Sequence, residues 1–88
     1  MKLIIAIVKD IDDIPVTTTL VDAGFRVTRV ASTGGFLHSG NVSLLIGTEP
    51  EQLQKAINLI KSACHSPEVA GQHRATLFVL DAPHFEQV

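Results

Sequence analysis

At 88 residues, with 45% hydrophobic and 18% charged positions, the chain is too apolar for a disordered segment and too short for two cores, so one domain over residues 1–88 is expected. Seven basic residues against nine acidic leave a formal charge of -2, which excludes a dominant basic footprint and makes nucleic acid a poor partner. No apolar run approaches the roughly 20 residues that span a membrane, no signal-peptide pattern precedes Asp10, and the single cysteine, Cys64, suits a reduced, cytoplasmic compartment.

Leu3 to Val8 is an unbroken apolar run, expected to form a strand covered on both faces. Asp10, Asp12 and Asp13 read as a solvated turn, with Asp13 capping a helix over 14–23. Pro15 suits its first turn, Val16, Leu20 and Ala23 share a face, and Gly24 closes it. Phe25 to Ala31 alternates as a strand, with Phe25, Val27 and Arg29 on one side and Arg26, Thr28 and Val30 on the other. Glycine clusters and Asn41 mark 32–41 as a loop between paired strands, and residues 42–47 form the next strand. Thr48-Glu49-Pro50-Glu51 has the form of a capping box with Thr48 as N-cap. Leu53, Ala56, Ile57, Ile60 and Cys64 give the helix that follows an apolar stripe, and Glu51 and Lys55 are spaced as an ion pair. His65-Ser66-Pro67 ends that helix. A short polar connection leads to a last strand, Ala75 to Leu80, and a tail ending in Phe85-Glu86-Gln87-Val88.

The order βαββαβ predicts an α+β, ferredoxin-like sandwich, with strands 1 and 3 in the centre, strands 2 and 4 at the edges and both helices on one face. Strands 1, 3 and 4 are apolar on both sides. The uncovered face therefore needs a partner, and another copy of the chain fits.

The chemistry concentrates between Arg26 and Gly47. Arg26 and Thr28 share a strand face. Thr33-Gly34-Gly35 can present successive backbone N–H groups to an anion. Phe36 and Leu37 offer a flat apolar platform, and Asn41 carries the donor and acceptor that a base requires. The set suits a nucleotide. An ordinary hairpin loop whose glycines supply positive φ is the plainer reading of the same residues. Asp10, Asp12 and Asp13 could hold a divalent ion, although a solvated turn with an N-cap is the plainer reading; His38, His65, His73 and His84 lack metal-site spacing, Cys64 lies on the apolar stripe, and no catalytic triad stands out, so no enzyme activity is expected.

Met1 to Val8, Ala23 to Thr28, Ala31-Ser-Thr-Gly-Gly-Phe-Leu37 and Gly40-Asn41 resemble the PII-like cyclic-di-AMP receptor proteins of bacteria. The likeness runs over roughly 1–65 and resumes weakly in the last strand and tail. It implies a PII-like homotrimer with ligand sites at subunit interfaces, acting as a non-catalytic signal-transduction receptor. Carried over, Arg26 and Thr28 would lie beside the ligand, with Thr28 on phosphate. Gly35, Phe36 and Leu37 would wrap an adenine, Asn41 would hydrogen-bond the ligand, Gly47 would allow close approach, and Gln87 would contact adenine. The resemblance implies cyclic-di-AMP as ligand and no cofactor or metal; it names no downstream protein. Two other readings stay open, a PII-like sensor of another adenine nucleotide (ATP or AMP) and a trimeric interaction protein with no nucleotide. His38 stands where family members usually carry a basic residue. Only His65 to Arg74 occupies the place of a long loop in typical members.

Overall fold

A computed structural model of the chain describes residues 1–30, 40–65 and 74–83. Its elements run β1 (Lys2–Lys9), α1 (Asp10–Asp22), β2 (Arg26–Val30), β3 (Asn41–Thr48), a 3-10 turn (Pro50–Gln52), α2 (Leu53–Ala63) and β4 (Ala75–Asp81). The strands form one sheet in the order β2-β3-β1-β4, and every neighbouring pair is antiparallel. This is the expected α+β, ferredoxin-like arrangement, with β1 and β3 central.

Alternation decides which side chains meet the helices. Ile4, Ala6 and Val8 of β1 and Leu44 and Ile46 of β3 are fully buried, together with Val16 and Leu20 of α1 and Ala56 and Ile60 of α2. The opposite set is apolar as well. In cross-strand register, Arg26, Gly47, Leu3 and Leu80 form one row, Thr28, Leu45, Ile5 and Phe78 a second, and Val30, Ser43, Ile7 and Thr76 a third. Leu3, Ile5, Ile7 and Leu45 are half-buried by their neighbours, whereas Phe78 and Leu80 are about half exposed. The strands are thus apolar on both sides, with helices over one side alone.

The helix starts differ from expectation. α1 begins at Asp10, directly after β1, so the Asp10–Asp13 run is its first turn and not a preceding loop. Asp13 is therefore no N-cap, and Pro15 sits in the second turn, where it removes the N–H that would reach the Ile11 carbonyl. Tertiary contacts account for the early start. The Asp10 N–H donates to the Gly40 carbonyl at 2.7 Å, and buried Asp12 receives a bond from the end of α2. Three aspartates in one first turn also complement the helix dipole. Ala23 is exposed, and Asp12, Val16 and Leu20 make up the buried stripe.

The capping box does not form. Thr48 is still in β3, paired with Lys2 and buried, and its hydroxyl donates to the Glu49 carbonyl at 3.1 Å. Glu49 caps the 3-10 turn instead, with Pro50 at its first position. Among the described residues no ion pair joins Glu51 to Lys55; Gln54 donates to Asn58 at 2.9 Å on the same helix. The apolar stripe of α2 is as expected, with Leu53, Ile57 and Cys64 packed against the buried Ala56 and Ile60.

At the end of α1 the Gly24 N–H donates to Val21 and the Phe25 N–H to Leu20, at 3.0 and 2.9 Å, the paired bonds of a Schellman motif. Gly24 has φ +94°, a region side chains avoid. Gly24→Ala should therefore cost about 1–2 kcal/mol although nothing crowds the new methyl. Urea unfolding of the two proteins checks this; equal midpoints would show that the turn relaxes at no cost.

Candidate functional site

Register places Arg26 directly opposite Gly47, and Gly47 opposite Leu3. A residue without a side chain thus sits in the middle of the first open-face row. A groove of about 700 Å³ opens there. Leu3, Leu45 and Gly47 form its floor and Arg26 and Thr28 of β2 line one side, and it extends past the end of the sheet to Ala23, Gly24, Glu49 and Gln52. A Cβ built on Gly47 would meet only the Met1 sulfur, at 3.7 Å, so the space above the glycine is open. Three of the expected ligand residues, Arg26, Thr28 and Gly47, are brought together in this groove.

Its chemistry is mixed. Arg26 brings a positive charge and Thr28 a hydroxyl to its lining; Lys2 and Thr48 also line it but belong to the helix-side row of the sheet, where the buried Thr48 hydroxyl donates to the Glu49 carbonyl. Lys2 is ion-paired with Asp81 on the adjacent strand, and its hydrogen bond and charge hold the Asp81 carboxyl below the ordinary range. A cation and hydroxyl beside an apolar floor fit a phosphate joined to a flat ring. Lys2, Glu49 and Gln52 were not among the residues singled out by sequence. They become neighbours only because β1 is central and β3 runs straight into the 3-10 turn.

Asn41 lies elsewhere. It is the first residue of β3 and pairs with Lys9. Six residues at 3.3–3.4 Å each put it about 20 Å from Gly47. It belongs to the strand and not to a loop. The chain leaves the sheet at Val30 and returns at Gly40, both at the Asn41 end. Gly35, Phe36, Leu37, His38 and Gln87, and the Thr33-Gly34-Gly35 anion nest, lie outside the described residues.

A sequence model of the cyclic-di-AMP receptor family matches residues 1–72. The chain belongs to the cyclic-di-AMP receptor family. The match spans β1 to α2 and so includes Arg26, Thr28, Asn41 and Gly47. A crystal structure of a functionally unknown protein from Pediococcus pentosaceus ATCC 25745 is similar throughout, at 36% identity and a TM-score of 0.80 over 99% of this chain and 96% of that one.

Elsewhere in this family member, the acidic run and His65 do structural work. Asp12 is 2% exposed and accepts bonds from the His65 backbone N–H, at 3.0 Å, and from its ring. Burial alone would raise the Asp12 pKa. The two His65 hydrogen bonds, with the charges of His65 and Arg74, outweigh burial and lower it. Cys64 moves the other way, since burial first and the Asp12 charge second raise its thiol pKa, which makes it a poor nucleophile. Asp13 is engaged too, accepting from the Arg29 guanidinium at 2.9 Å and from Thr17 at 3.2 Å. No group of three metal-ligating side chains occurs among the described residues.

The lowered Asp12 pKa has a definite sign. Its contribution to stability is present above the unfolded value near 3.8 and is lost as pH falls through the lower folded value. Asp12→Asn should remove this dependence. Urea midpoints followed from about pH 5 downward should fall less steeply in the variant. Parallel curves would show that Asp12 titrates alike in the folded and unfolded chains.

Proposed function

We propose that this chain is a non-catalytic signal receptor that binds cyclic-di-AMP between the subunits of a homotrimer. The observation that carries the reading is the gathering of Arg26, Thr28 and Gly47 around one open-face groove in a member of the cyclic-di-AMP receptor family. In this reading Arg26 and Thr28 hold phosphate and an adenine lies over Gly47 on the floor of Leu3 and Leu45. No cysteine or histidine lines the groove among the described residues, and its groups are suited to binding.

Two features support the trimer. The open face carries three rows of largely apolar side chains, and a second subunit would remove them from water. Asn41 is too far along β3 to reach the groove of its own chain. A neighbouring subunit would supply Asn41 and the segment 31–39, with Gly35, Phe36 and Leu37 around an adenine. Gln87 of the tail would complete the base contacts. Among the described residues no helix is long and apolar enough to cross a membrane. A receptor for a nucleotide signal would act in the cytoplasm.

Calorimetric titration with cyclic-di-AMP, other cyclic dinucleotides, ATP and AMP tests the ligand. Saturable heat with cyclic-di-AMP at the lowest concentration supports the proposal. Preference for ATP or AMP points to a different adenine nucleotide, and heat with none of them leaves an interaction protein. Arg26→Ala and Phe36→Ala should each weaken binding by about 1–3 kcal/mol, or about five- to 150-fold. Gly47→Val should abolish binding with the fold intact, because the new side chain fills open space above the groove floor. Light scattering should give about three times the monomer mass for all of them, by cyclic symmetry. A stable monomer would overturn the interfacial site.

A further inference from the structure

The two helices lie side by side yet present different surfaces outward. The exposed residues of α2 are polar, including Gln54, Lys55, Asn58 and Lys61. On α1 the exposed positions Ile11, Ile14, Thr18 and Val21 are spaced i, i+3, i+7 and i+10, the a/d spacing of a coiled-coil seam. At 100° per residue their mean direction is opposite to the buried stripe of Asp12, Val16 and Leu20. Ile11, Ile14 and Val21 are 63%, 65% and 53% exposed. Single exposed aliphatics are ordinary, but aliphatics at three of the four positions of one seam are not. The seam is on the helix layer, away from the open sheet face, and the groove reaches this part of the chain only at Ala23 and Gly24, beyond the last seam position.

Charge selects the occupant. Asp10 and Asp22 are exposed on opposite flanks of the seam, and α1 contains no basic residue. Two basic side chains reach α1 from elsewhere, Arg29 and His65, and they are committed to Asp13 and Asp12. Lys9 alternates with Leu3, Ile5 and Ile7 and so belongs to the other side of the sheet. A second copy of α1 would bring the same acidic flanks and no basic residue to complement them, and an anionic membrane would meet the same aspartates. We propose that α1 is the docking surface for a partner protein that presents an amphipathic helix, apolar along its seam and flanked by lysine or arginine.

The test uses the full chain and two synthetic three-heptad peptides with leucine at a and d, one with lysine and one with glutamate at e and g. The lysine peptide should bind saturably, and the glutamate peptide at least about tenfold more weakly. Ile14→Glu should weaken the lysine peptide about tenfold or more and leave cyclic-di-AMP titration unchanged. Val21→Glu, at the far end of the seam, should act alike, so a folding defect in one variant does not decide the result. Equal binding of both peptides, no binding near about 1 mM, or indifference to both variants would overturn the proposal. So would self-association, or binding to phosphatidylserine vesicles, that either variant abolishes, since each names a different occupant.

Discussion

A sheet with two apolar faces and helices for only one of them is the constraint on which the rest of this molecule depends. α1 and α2 bury Ile4, Ala6, Val8, Leu44 and Ile46 completely. Leu3, Ile5, Ile7, Leu45, Phe78 and Leu80 lie on the other side, over which the described residues place no helix. Burying such side chains is worth about 1.5–3 kcal/mol each, which is large beside the stability of a small domain. The same face contains the groove. Gly47 interrupts the row of Arg26, Leu3 and Leu80, and the interruption gives a ring-sized recess with a cation at its flank. In the proposed trimer, assembly and ligand binding would use one surface, and the nucleotide would help to bury it.

Much of the fold was legible from the chain. Uninterrupted runs such as Leu3–Val8 marked central strands, and the i, i+3, i+4 stripe ending in Cys64 marked α2. Gly24 closed α1 for the anticipated reason, its positive φ. Errors gathered at helix starts, where tertiary contacts override local signals. Thr48 has every local feature of an N-cap, but pairing with Lys2 keeps it in β3. Asp12 looked solvated, yet its carboxylate is buried because His65, 53 positions away, returns to meet it.

The site was legible in residue types and less so in arrangement. Arg26 and Thr28 could be placed on one face by alternation, and Gly47 by resemblance. That Lys2, Glu49 and Gln52 would surround them depends on strand order and on β3 running into the 3-10 turn, neither of which a local motif encodes. Nor could spacing reveal that Asn41 faces away from the groove's end of the sheet. Short sequence separation, six residues, becomes a long distance when the intervening backbone is extended.

That separation gives the account its most direct test. If one site takes Arg26 from one subunit and Asn41 from the next, chains carrying Arg26→Ala and chains carrying Asn41→Ala each lack every complete site. Refolded together into mixed trimers, they should regain about a quarter of the cyclic-di-AMP sites, because each site then needs one unaltered residue from each of two neighbours. Titration of the mixture should recover tight sites in that proportion. No recovery, with mixed trimers demonstrated by mass, would contradict a site shared between subunits.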